Sequence, residues 1–460
     1  MKHISEPSAT QWLARLKNGD ISSVELVKQT ISRINKVNPE LNAVVADDPE
    51  TCIRQAQDAD SRRRKGEELP LLGLPVTVKD SIDAVGFPCT GGSFARENFR
   101  PEKDSTVVAR LREAGAIVVA KTNVPEYSSS YETDNAIFGC TNNPFDTQRT
   151  PGGSTGGEGA LLGADASLVG IGLDGGGSIR VPSHYCGIYG IRPTARRVPD
   201  TGTWPATTDT GYRDLMNVGP MARYAEDLAL ILPIISGPDW IDPYAPPTPL
   251  LKPDDVTISE LRVGFYTYDG VARVSRETEQ AVARVARAME QAGCRVTEAD
   301  MPDVTNATGI FFSMAGADGG VRTRKDLEGA NSRHHVQFKT LLDGFGDSMS
   351  LPDFFGLQGR FFEFRARLRR FMNDYDLIIA PVTTGPAPRH METPHGIPQD
   401  EYFLYRGFNY VHTFALAGLP VTVAPAGAQD GLPLGVQLAA PPFREDVALA
   451  AAAHLQNNLE

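Results

Sequence analysis

Over the first 70 residues, apolar positions recur at helical spacing. Ser8 and Gln11 stand a capping-box distance apart, just ahead of Trp12, Leu13 and Leu16. Ser23 opens a second periodic run through Val24, Leu26, Val27, Ile31 and Ile34, which Pro39 should stop. The period then changes. Residues 74–78 alternate as a strand, 105–114 read as a helix ended by Gly115, and 116–120 return as a strand. The same rhythm places a strand at 166–171, a helix at 276–292 capped by Gly293, and strands at 375–382, 419–423 and 433–438. A last helix runs from Glu445 to Leu455. Strands alternating with helices predict an α/β fold with a mostly parallel sheet wrapped by helices.

Strand-like sequence at both ends of this series argues for one sheet, hence a single large domain over 1–460 with a mixed central β-sheet. A helical region at 1–70 leads into a motif-rich core at 71–200, and 254–460 supply the remainder of the same sheet. The Pro-rich stretch 238–253 reads as a surface connection between them.

Composition narrows the function classes. The chain has 460 residues, 41% apolar and 22% charged, and a formal net charge of −12. That charge argues against a nucleic-acid or anionic-membrane partner. The one basic cluster, Arg62-Arg63-Arg64-Lys65, falls at a predicted helix end and reads as a solvated face. Five scattered cysteines without CxxC spacing speak against a disulfide framework or a zinc site. No apolar leader begins the chain and no run approaches the ~20 apolar residues of a membrane span, so the expected location is the cytoplasm.

Candidate chemistry gathers at two glycine–serine clusters and a lysine. The first cluster is Gly152-Gly153-Ser154-Thr155-Gly156-Gly157-Glu158, the second Asp174-Gly175-Gly176-Gly177-Ser178-Ile179-Arg180. Glycines there let backbone N–H groups crowd a reacting atom without a Cβ in the way. Competing motifs are weaker. Gly170 to Gly175 fits G-x-G-x-x-G, but Gly176, Gly177 and Pro182 leave no good helix start for a dinucleotide site. Residues 152–156 fit the nucleophile elbow G-x-S-x-G, with His390, His395 and His412 late enough to serve. That hit starts in a Pro-Gly-Gly loop and ignores the second cluster. His184 reads as a structural hydrogen-bonder, and His334 and His335 have no carboxylate at metal spacing. A serine still needs a group to take its proton. Lys79, ending an apolar strand, is the base candidate if burial keeps it neutral.

The segment from Lys79 to Pro193 resembles the amidase signature family. The two clusters match its Gly-Gly-Ser-Ser-Gly-Gly and Asp-x-Gly-Gly-Ser-Ile-Arg-x-Pro motifs. Cys186 to Thr194, Thr122 to Glu126 and Asn142 to Phe145 continue the match. The resemblance implies Ser178 as acylated nucleophile, Ser154 on a cis peptide as proton relay, and Lys79 as base. It implies an oxyanion hole from the N–H groups of Gly175, Gly176, Gly177 and Ser178, with Asp174 and Arg180 as supports. Ser128 corresponds to a substrate-pocket position in the fatty-acid amide hydrolase branch. Two departures bear on the substrate: Thr155 stands for the usual second serine, where its methyl would reshape the pocket, and Gly175 for a residue commonly β-branched. An added glycine loosens an oxyanion loop unless neighbours pin it.

The function so implied is hydrolysis of a small aryl or alkyl amide, or a carbamate, with no cofactor or metal, by a soluble chain that could pair as a homodimer. An alternative is the glutamine-cleaving component of a tRNA-dependent amidotransferase. Those proteins usually continue the first motif with Ser-Ala, where this chain has Gly157-Glu158-Gly159-Ala160. A non-catalytic protein is disfavoured by the intact serines and lysine. The pairs Phe311-Phe312, Phe354-Phe355 and Phe361-Phe362 could line an apolar tunnel but read as core, where aromatic residues dominate.

Overall fold

The first helix forms where its cap predicts. Ser8 caps Ala9–Asn18, its hydroxyl accepting from the Gln11 amide while the Gln11 side chain accepts from the Ser8 amide. The second helix, Ser23–Leu41, is capped by Ser22 with Glu25 closing another capping box. Pro39 does not stop it. The proline lies in the last turn, where its missing donor removes a single bond, and the chain exits at Asn42 in the left-handed region. A computed structural model describes residues 6–207, 210–211, 213–328, 333–391 and 406–459.

Among the described residues eleven strands make one sheet. The first half of the chain gives β1 (Val44–Asp47), β2 (Pro75–Lys79), β3 (Ile117–Thr122), β4 (Val169–Asp174), β5 (Tyr189–Arg192) and β6 (Asn217–Ala222). The second half gives β7 (Arg262–Phe265), β8 (Arg295–Glu298), β9 (Leu377–Pro381), β10 (Val421–Gln429) and β11 (Leu432–Ala439). Their order is β1-β3-β2-β4-β6-β5-β10-β11-β9-β7-β8. The pairing of β5 with β10 joins strands from either side of the Pro-rich stretch 238–253. Each strand anticipated from periodicity exists, with ends moved by one to a few residues; the predicted 166–171 strand starts only at Val169. Strands β1, β5, β7 and β8, of four residues each, carry too few to show a period, and β6 (Asn217–Ala222) does not alternate.

The mixed sheet expected for the single domain is present, whereas the mostly parallel one that alternation alone predicted is not. Parallel pairing is confined to β2 with β3 and β4, and β7 with β8 and β9. The others run antiparallel; for β10 and β11 the tight turn at Asp430-Gly431 leaves no chain for the crossover that a parallel pair needs. The sheet is therefore mixed. All residues of β2 and β4 are buried, which explains their near-continuous apolar sequence and carries the ends of both strands deep into the molecule. Among the described residues no helix is long and apolar enough to cross a membrane.

Candidate active site

Strand β2 delivers Lys79 to the interior. Its side chain is fully buried, and Nζ donates to Ser154 Oγ at 2.6 Å. Burial pushes Lys79 down to about 7, against the opposing pull of Asp174 and Glu158. Ser154 follows a cis peptide from Gly153 and precedes the helix Gly156–Gly163. The amide of Thr155 donates to the Ser178 carbonyl at 3.1 Å, which ties the two glycine–serine loops together.

Strand β4 ends at Asp174, and Ser178 lies just before a short helix, Arg180–Cys186. The expectation that no helix starts here is corrected. Pro182 is its third residue, where a helix has no internal acceptor for an N–H anyway. Asp174 is buried and accepts from the Gly177 amide (2.7 Å), the Ile179 amide (3.1 Å) and Arg180 Nε (2.9 Å). Burial would raise its carboxyl, but the Arg180 charge and hydrogen bonds prevail and hold it well below the usual carboxylate range. Arg180 also donates to the Val411 carbonyl and Gln437 Oε1. Gly177, at φ +129°, adopts a conformation that a side chain would strain. Its N–H belongs to Asp174, so it leaves the predicted oxyanion set. The amides of Gly175, Gly176 and Ser178 have no acceptor among the described residues.

A cavity of about 560 Å³ opens over this loop. Gly175, Gly176 and the half-buried Ser178 line it; Lys79, Ser154 and Thr155 do not. Thr155 faces Gly172 and donates to the Leu173 carbonyl, so its methyl does not reshape the pocket as expected. Ser128 lines the cavity with an Oγ that has no hydrogen-bond partner among the described residues. The aromatic pairs are only partly core. Phe311 and Phe361 are buried, yet both line the cavity together with Phe312, Phe354 and Phe362. Phe355 is exposed instead.

Four side chains beside these loops, Glu158, Tyr131, His412 and Thr308, were given no such place by the sequence. Glu158 is buried on the helix after Ser154 and accepts from the hydroxyls of Thr77 and Thr122. Burial pushes it up to about 8 despite those bonds. Gly170, within the G-x-G-x-x-G decoy, is bare because any Cβ there would strike the Glu158 carboxylate. The signal was a lone acid in a glycine-rich apolar helix. Tyr131 donates to the Gly176 carbonyl at 2.6 Å and contacts His412 Nε2 at 2.7 Å; Thr308 lies 3.0 Å from Nδ1. Tyr131 and Asp174 thus hold the two ends of the Gly176–Gly177 peptide, the pinning that a glycine-rich loop needs.

Among the described residues no histidine bonds Ser154. His412 is committed to Tyr131 and Thr308, and burial pushes it down to about 3. His184 accepts from the Gly435 amide and bonds the Gly385 carbonyl, the structural role expected. His390 pairs with Glu132, while His334 and His335 meet Glu126 and Asp134. His395 lies outside the described residues.

The Amidase family model matches residues 25–352 and 356–449. The chain belongs to the amidase family. This amidase is 32% identical to an indoleacetamide hydrolase of Bradyrhizobium diazoefficiens, over 98% of its own length and 86% of the relative's. It is also 32% identical to the A component of a glutamyl-tRNA(Gln) amidotransferase from Thermus thermophilus, over 96% and 94%. Among solved structures, a bacterial aryl acylamidase superposes on the amidase with a TM-score of 0.88 at 26% identity, covering 98% of this chain and 96% of that one.

Proposed function

We propose that this amidase cleaves amides bearing an apolar aryl or alkyl group, through an acyl-enzyme on Ser178. The observation that carries the reading is the placement of the two serines: Ser178 borders the cavity, whereas Ser154 sits behind it with its hydroxyl on Lys79. A neutral Lys79 takes the Ser154 proton as Ser154 takes that of Ser178, and Ser178 Oγ adds to the amide carbonyl. The negative oxygen that develops meets the free amides of Gly175, Gly176 and Ser178; one such donor is typically worth ~3 kcal/mol of barrier. The proton returns along the same path to the departing amine, and water then releases the acid. Carbamates present the same carbonyl to the same groups.

The relatives supply a second reading, the glutaminase component of an amidotransferase. An aromatic-walled cavity suits an apolar group better than the polar side chain of glutamine. Release of the amine from aryl amides, with glutamine left intact, is the expected result; rapid glutamine hydrolysis with inert aryl amides would reverse the assignment. Because Lys79 must be neutral, kcat/KM should fall about tenfold per pH unit below an inflection near 7. A flat profile down to pH 5 would remove Lys79 as base.

A further inference from the structure

Away from the cavity, the fold brings together three side chains that are far apart in sequence. Glu132, Cys140 and His390 each offer a ligand atom, and these atoms all lie within 4.8 Å of one another. His390 Nδ1 is 2.9 Å from Glu132 Oε1 and 3.2 Å from Cys140 Sγ. An ion bonded to nitrogen, oxygen and sulfur at about 2.0–2.3 Å sets tetrahedral edges of about 3.3–3.5 Å, so these side chains would open by a few tenths of an ångström to take one. None of the three lines the cavity over Ser178.

The surroundings resemble the outer shell of a metal centre. With Nδ1 turned to the cluster, His390 Nε2 faces Asn142 Oδ1 at 3.1 Å, the kind of acceptor that fixes a ligating imidazole. Glu132 is buried and oriented by the Gln337 side-chain amide at 2.9 Å and the Met391 backbone amide at 3.0 Å. The His390 backbone is itself held, by its own amide on the Gln148 carbonyl and by a bridge between Arg149 and Arg389. Cys140 is half-buried, so solvent can reach the site.

We propose that Glu132, Cys140 and His390 bind one zinc-class divalent ion through Oε1, Sγ and Nδ1, clamping the 131–141 loop to the 388–391 segment. A thiolate, an imidazole and a single carboxylate favour zinc over the oxygen-seeking magnesium or calcium. Three protein ligands leave a fourth position for water. Binding expels the Cys140 thiol proton to solvent, and any proton shared between His390 and Glu132 leaves with it. The clamp would lie behind the catalytic loop, since Ser130 to Glu132 press against Gly153.

The test uses the reduced full-length chain, freed of metal with a chelator and titrated first with Co²⁺ and then with Zn²⁺. One equivalent of Co²⁺ should give a thiolate-to-cobalt charge-transfer band, Zn²⁺ should bleach it, and Zn²⁺ should raise the melting temperature. Cys140→Ser should lose the band, and His390→Gln should weaken binding by more than ~10-fold. Absence of the band in the unaltered chain overturns the proposal without reference to any variant. A band that survives in Cys140→Ser overturns it too, because the thiolate would then belong to Cys52, Cys89, Cys186 or Cys294.

Discussion

The floor and the wall of the cavity are built on opposite principles. The floor, Gly175, Gly176 and Ser178, rests on a polar and buried set: Lys79 on Ser154, Asp174 on Arg180, Glu158 on two threonines. The wall is apolar, drawn from the helices Ala307–Ala315 and Leu351–Phe371, and parts of it reach solvent, as with Phe362 at 54% exposure. In the floor's support burial sets the charge states of Lys79 and Glu158 and every group is hydrogen-bonded, so few substitutions are tolerable. In the wall, contacts add up nearly independently. Reaction class should therefore be carried by the floor and substrate choice by the wall.

The largest effects should come from removing a member of the relay. Ser178→Ala and Lys79→Ala are each expected to lower kcat on the order of 10⁴-fold or more, and the double variant should be little worse, since a relay fails as a unit. Steady-state kinetics on one aryl amide checks both statements. Asp174→Asn attacks the floor through stability: it leaves buried Arg180 and Arg192 without their anion, at ~3–5 kcal/mol by denaturant unfolding. In the wall, Phe312→Ala should lower kcat/KM on the order of tenfold for bulky aryl amides while leaving the smallest amides nearly unchanged. An equal loss for all substrates would erase the distinction drawn here. The smallest effect is expected from Tyr131→Phe, which frees the Gly176 carbonyl. A net hydrogen bond of ~1 kcal/mol predicts about fivefold in kcat with KM unmoved.

The same contrast explains what could be read from the chain alone. Ser154, Ser178, Asp174 and Arg180 fall within short glycine-rich motifs whose local chemistry is already constrained, Lys79 ends an apolar strand, and the fold brings them together. The wall, and the partners Tyr131, His412 and Thr308, come from segments up to several hundred residues away, joined only by tertiary packing. Gly177 shows the limit even inside a motif: its amide looked like an oxyanion donor until Asp174 proved to hold it. Strand direction was illegible for a related reason. Periodicity reports which face is buried, not whether a neighbour runs parallel, and the short strands β5 and β6 that reverse the pairing carry no period of their own.

The most direct test of the central claim is to treat the chain with a small fluorophosphonate, weigh the intact protein and map the adduct. Activation of Ser178 by the buried Ser154–Lys79 pair predicts one adduct per chain, on Ser178, that is lost in Lys79→Ala. An adduct on Ser154, or none on the folded chain, would contradict it.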